Sequence, residues 1–416
     1  MHANLSLQQS PPFSVPARFL VSAPLFGLIA GLVMLWHGPE MVSHRWTSEL
    51  LAVTHFLTLG CLAMSMLGAM MQLMPVLMVV VIPRAVFFSG LVHTSLFLGS
   101  VCLGLAWLIQ INELFIIAML LLGFSFAIFI TVAIERLLRS RSRHVTRSMM
   151  IMALFALLIT ACLGIYLALN YAWPTFPPAR QLTDLHLSWG LFGWVTLLIM
   201  AVAYQVIPMF QITDNYPAVH QRWMGWSVFI AMFALSLAYS WPLEILKTIS
   251  SILLAICLLI FALTTLWVLR TRRRQIPDLT MKFWQLAMVS LVFLVLLLAI
   301  ATLFHFDLPE LLLGVLNIHG FALTTITGLM YKIIPFFYLV NLSTVQKNLL
   351  DKSKKLVDSS IYIQSGNLKD YSSDFTEEVW EVKTNRTGYI QFYDRKKLIE
   401  IAKEFDVKIL CEILIG

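Results

Sequence analysis

Ten stretches of this 416-residue chain are apolar for long enough to cross a hydrocarbon layer, which takes about 20 residues of helix. They begin near Arg18, Leu50, Ala85, Glu113, Met149, Gln181, Met224, Leu243, Phe283 and Leu311. In lipid every backbone polar group must be paired within its own segment, so runs of this kind fold as helices. The seventh and eighth are parted at Ser240-Trp241-Pro242. A chain that is 59% hydrophobic and 12% charged, with mean hydropathy +0.82, fits no soluble class. The expected fold is therefore an all-α integral membrane domain of about ten helices over residues 18–340, preceded by a short segment, residues 1–17. That segment has no basic region leading directly into an apolar core and a cleavage site, so Arg18 onward reads as a retained first span.

Charge sets the expected orientation. The loop after the fourth run reads ERLLRSRSRHVTR and that after the eighth reads RTRRRQIPD, while odd-numbered loops hold scattered charges such as Arg45, Arg180 and Lys247. Basic loops stay on the cytoplasmic side. The N-terminus and the C-terminal tail are then both cytoplasmic, in a bacterial cytoplasmic (inner) membrane with the lipid bilayer as the first partner. Nothing points to nucleic acid. The five cysteines form no CxxC or CxxCH, which removes support for disulfides, zinc fingers, iron–sulfur ligation and covalent c-type haem.

Composition changes abruptly near residue 341. Residues 1–340 hold 14 Arg and 3 Lys, whereas residues 341–416 hold 2 Arg and 10 Lys, with 12 acidic residues to balance them. Segments such as VWEVKTNRTGYIQFY and VKILCEILI alternate like strands, and RKKLIEIAKEFD is an amphipathic helix. Residues 341–416 thus read as a small cytoplasmic α/β tail. They are either foreign to the membrane domain, through a fusion or frameshift, or a regulatory extension of it.

The membrane domain says nearly the same thing three times. MQLMPVL at Met71–Leu77, YQVIPMF at Tyr204–Phe210 and YKIIPFF at Tyr331–Phe337 each place Gln or Lys, two apolar residues and then Pro. From Gln72 to Gln205 is 133 residues, and from Gln205 to Lys332 is 127. The phrases end the second, sixth and tenth runs, so four-helix spacing recurs and implies a ring with pseudo-threefold symmetry. A proline there is tolerated because it breaks the helical ladder where the span is ending.

At the other end of the same runs stand three histidines: His55 in AVTHFLTLG, His186 in DLHLSWGLFGW and His319 in GVLNIHGFALTT. Counted from the helix starts, they share a depth. Intramembrane ionisable groups are functional candidates, although a single one often serves as a hydrogen bond between helices. Neutral imidazole is also an axial ligand for haem iron. His93, by contrast, reads as packing, and His144 and His220 as loop residues in solvent.

Residues 18–340 resemble subunit I of the haem–copper oxidase superfamily. THFLTLGCLAMSMLGAMMQLMP is similar to that family's second helix and NIHGFALTTITG to its tenth. The resemblance implies a low-spin haem b held by His55 and His319, with His186 in the place of a copper ligand. It also shows departures. Asn317 stands where the high-spin haem ligand would be, the seventh run RWMGWSVFIAMFALSLAYSW lacks the family's paired histidines, and helices eleven and twelve are absent. The expectation is a degenerate relative that carries electrons or responds to redox state or a diatomic gas, possessing one bis-His haem and no complete oxygen-reducing centre. Such a protein would use an additional membrane subunit or redox partner. Two other readings stay open: a cofactor-free carrier or channel lined by the histidines, Gln72, Gln205 and Lys332, and an active terminal oxidase or nitric-oxide reductase subunit with copper.

Overall fold

The computed structural model describes residues 10–338 apart from 143, 174–181, 242, 275–277 and 305–307. Residues 341–416, read above as an α/β tail, lie outside the described residues.

Ten helices are long and apolar enough to span a membrane: Ser14–Val42, Ser48–Met78, Ala85–Ile109, Asn112–Arg139, Val145–Ala172, Thr183–Gln211, Ala218–Ser240, Glu244–Arg270, Leu279–Ala301 and Glu310–Tyr338. They match the ten apolar runs one for one. The largest shift is in the seventh, which starts at Ala218 rather than near Met224 and so takes His220 into the helix. Several hydroxyls within the spans are satisfied by their own turns. Ser22, Ser100, Thr160 and Thr325 each donate to the carbonyl four residues back, at 2.7–2.9 Å.

Packing places two helices at the centre. Of the most apolar window in each span, 67% is buried in the second and 83% in the sixth, against 33% in the tenth. The second lies against the first and third, the sixth against the fifth and seventh, and the tenth touches both the second and the sixth. The tenth therefore closes the inner trio on one side and leaves an apolar face outward, with Leu311, Leu312 and Val315 exposed.

The inner three share a feature that periodicity does not predict. Each changes to the wider π winding for eight residues: Phe56–Ala63, Trp189–Thr196 and Leu316–Leu323. The starting residues are separated by 133 and then 127 positions, the spacing of the repeated proline phrases. The fifth residue of each π segment is glycine: Gly60, Gly193 and Gly320. Close approach explains it. A Cβ on Gly60 would overlap the Phe26 ring of the first span. One on Gly193 would come within 2.9 Å of the Ala156 Cβ on the fifth, and one on Gly320 within 3.0 Å of the Ser290 Cβ on the ninth.

The proline ends repeat as well. Pro75 and Pro208 each lie three residues before their helix stops, at Met78 and Gln211. The residues that follow, Val79 and Ile212, both adopt left-handed backbone with φ of 56° and 53°. For β-branched residues this conformation is unusual, and here it turns the chain sharply out of both spans.

Candidate functional site

The histidine-bearing end of the bundle begins with a clasp. Arg45, in the loop between the first two spans, bonds Asp184 at 3.0 Å and Glu310 at 3.1 Å. These carboxylates open the sixth and tenth helices, so one guanidinium ties together the entrances of the inner trio. Beside it is an open hollow of about 430 Å³ lined by His44, Arg45, Trp46, Pro309 and Glu310.

Below the clasp, His55 and His186 face one another. Their ring centroids are 6.3 Å apart and their planes differ by 18°. Each ring is fixed through Nδ1: His55 bonds the Leu51 carbonyl at 2.8 Å, and His186 bonds the Thr160 carbonyl at 3.0 Å. A carbonyl can only accept, so both Nδ1 atoms carry the proton. Both Nε2 atoms therefore keep a lone pair, the state in which imidazole binds a metal. Among the described residues no hydrogen-bond partner falls on either Nε2.

An aromatic wall flanks His55. Trp107 of the third span lies 4.5 Å from the His55 ring, centroid to centroid, and packs in turn on Phe115 and Tyr171. The buried Trp107 Nε1–H has no acceptor among the described residues, a costly omission for a buried donor. On the other side Gly164 of the fifth span makes room for His186, since a Cβ there would sit 2.8 Å from its Cε1.

His319 differs in place and surroundings. The π segments give a common register: His55 is one residue before its segment, His186 three before, and His319 three after the first residue of its own. His55 and His186 are thus two positions apart in register, and His319 lies four and six positions further along. At about 1.5 Å per residue those offsets are roughly 3, 6 and 9 Å. The three histidines do not share one level, which corrects the depth inferred from helix starts alone. The His319 side chain is exposed, and no hydrogen bond or ring contact anchors its imidazole among the described residues. Two residues before it, Asn317 is buried and its Oδ1 is unpartnered.

The proline end carries three polar clusters. Lys332 of the third repeated phrase bonds Asp278 at 2.7 Å, and Asp278 also accepts from Gln211 at 2.9 Å and from the Met281 N–H at 3.0 Å. Burial alone would raise the Asp278 pKa, but these bonds together hold it below the usual carboxylate value. Gln72 of the first phrase bonds Ser10. His220, expected in a solvated loop, is instead buried: its Nδ1 bonds Tyr204 Oη at 3.0 Å, and its Nε2 has no partner. The sign missed in the sequence was the HQRWMGW start of the seventh helix, in which His220 lies one turn before Met224 on the inward face.

Compared with protein families, curated proteins and solved structures, the chain matches none.

Proposed function

We propose that this chain is a haem-holding membrane protein related to haem–copper oxidase subunit I, serving electron transfer or a response to redox state or a diatomic gas. The observation that supports it is the His55–His186 pair, with both Nδ1 protons engaged and both Nε2 lone pairs free. The residue set favours haem over a bare metal ion. Among the described residues no three His, Cys, Asp or Glu side chains gather as a metal cage, whereas structural and catalytic metal ions usually take three or four protein ligands. Haem would bring the iron's ring nitrogens with it, and His55 and His186 would be the side chains that hold it. Its unfilled requirement therefore matches what the residues supply.

When bound, the haem would supply one-electron redox chemistry. The protein's own part is to orient imidazoles and keep water out. The Leu51 and Thr160 carbonyls set the tautomers, while Trp107, backed by the buried Phe115, shields the His55 ring. The indole N–H of Trp107 offers a donor to an acceptor on a bound group. The resemblance implies that His319 would hold the haem together with His55. The outward apolar face of the tenth helix is where an additional membrane subunit or redox partner would fit.

The carrier or channel reading draws less support. Lys332 and Gln72, two of the side chains that would line a polar path, are already engaged by Asp278 and Ser10. The oxidase reading needs further ligands near His186. His220 is the histidine of the seventh span, yet it bonds Tyr204, which is 18 residues and about 27 Å along the sixth helix from His186. A dithionite-reduced minus oxidised spectrum of the detergent-purified protein tests the proposal. A sharp low-spin b-type α-band is expected, and a flat spectrum from cells supplied with haem would overturn it.

A further inference from the structure

We infer that His55 and His186, not His55 and His319, are the two imidazoles that share one metal centre. In its haem form the inference rests on the function proposed above and changes its second axial ligand.

Three independent features lead to it. The first is spacing. With a ring nitrogen about 1.1 Å from its own centroid and a metal–nitrogen distance of about 2.0–2.1 Å, two imidazoles on opposite sides of one metal have centroids roughly 6.3 Å apart. The observed separation is 6.3 Å. The planes differ by 18°.

The second is anchoring. A metal-binding histidine generally donates its other N–H to a carbonyl or carboxylate, which fixes tautomer and orientation. His55 and His186 both do so, to carbonyls on the second and fifth helices. His319 has no such anchor among the described residues.

The third is register. The triplicated π segments place His55 and His186 within two positions of each other, while His319 stands four positions further along than His55. The spatial partner of His55 is thus the histidine nearest it in the repeat. Gly164 supports the same assignment, because its missing side chain is what lets the His186 ring lie where it does.

The experiment compares His55→Ala, His186→Ala and His319→Ala in the full-length protein, purified from cells supplied with haem precursor and copper. Haem per protein is read from the reduced spectrum and copper by elemental analysis. The bound metal should fall by about tenfold or more in the first two variants and persist in the third. Copper without haem, lost in the same two variants, would uphold the shared centre and overturn the haem reading. A b-type band lost in His319→Ala but intact in His186→Ala would overturn the inference and leave the haem reading standing. Neither metal in the parent protein would overturn both. His186→Gly guards against simple misfolding: added imidazole should restore a low-spin spectrum there, and failure to do so in a folded, haem-loaded variant would count against His186.

Discussion

The ammonium of Lys332 lies 2.7 Å from a carboxylate oxygen of Asp278, with the side chains only 23% and 19% exposed. Asp278 also accepts from Gln211, so the pair joins the ends of the sixth and tenth helices at the start of the ninth. Replacing Lys332 by Met leaves a half-buried carboxylate short of a partner. A loss of about 1–3 kcal/mol in stability is expected, read as a lower unfolding midpoint in detergent, with any haem spectrum unchanged because the histidines are at the opposite end.

The same pair sets a pH dependence. Although burial opposes it, bonding to Lys332, Gln211 and the Met281 N–H lowers the Asp278 pKa in the folded state. A lowered folded pKa adds stability that is complete above the unfolded value of about 3.9 and is lost as pH falls through the folded value. The unfolding midpoint should therefore owe nothing of its pH dependence to this group between neutrality and about pH 5. Below about pH 4 it should fall more steeply in the parent than in Asp278→Asn.

Alanine at the three π-segment glycines should destabilise unequally. At Gly60 the new methyl overlaps a buried Phe26 ring, while at Gly320 it meets Ser290 at 3.0 Å. Overpacking of this kind costs about 1–3 kcal/mol. Thermal unfolding should rank Gly60→Ala as the most damaged and Gly320→Ala as the least.

Gly164→Ala keeps every histidine but pushes on one of them. The added Cβ would stand 2.8 Å from His186 Cε1. We expect weakened metal binding or an altered low-spin spectrum with the fold retained. Gly123→Ala on the fourth span, where the nearest atom is the flexible Ile165 terminus at 3.3 Å, should leave the spectrum as it was. Equal spectra in the two variants would separate His186 from the metal.

Tyr204→Phe removes the bond to His220 Nδ1 and leaves both nitrogens of that buried ring unpaired. A cost of about 1–3 kcal/mol is expected. Replacing both residues with Phe and Leu should cost less than the single change, since no orphaned polar atom remains. Additive losses in equilibrium unfolding would contradict that.

The helices were readable in the sequence because lipid demands long apolar runs, and each run became a helix. The proline phrases were readable because Gln72, Gln205 and Lys332 recur at one spacing. The π segments were not, since an eight-residue change of winding alters no periodicity that composition displays. Without them, His55, His186 and His319 could be aligned only from helix starts, which gave one level for all three. His220 was missed because a helix that starts six residues earlier converts a loop histidine into a buried one. Partnership in space also escapes sequence: nothing in AVTHFLTLG says that its imidazole meets the sixth span, and that the space for it comes from a glycine on the fifth.

Helical winding also has a rotational consequence. An α-helix turns by about 100° per residue, and a π segment turns less, so eight residues of it leave everything upstream rotated out of phase with the turns downstream. The proline halves of the second and sixth helices are packed in one phase and their histidine halves in another. Rewinding Phe56–Ala63 as α-helix with no residue removed would make each of its eight residues turn further, and His55 would swing around the axis out of its present direction. The π turns act as fixed angular offsets, set once in each repeat, that decide which way each inner helix looks at its far end.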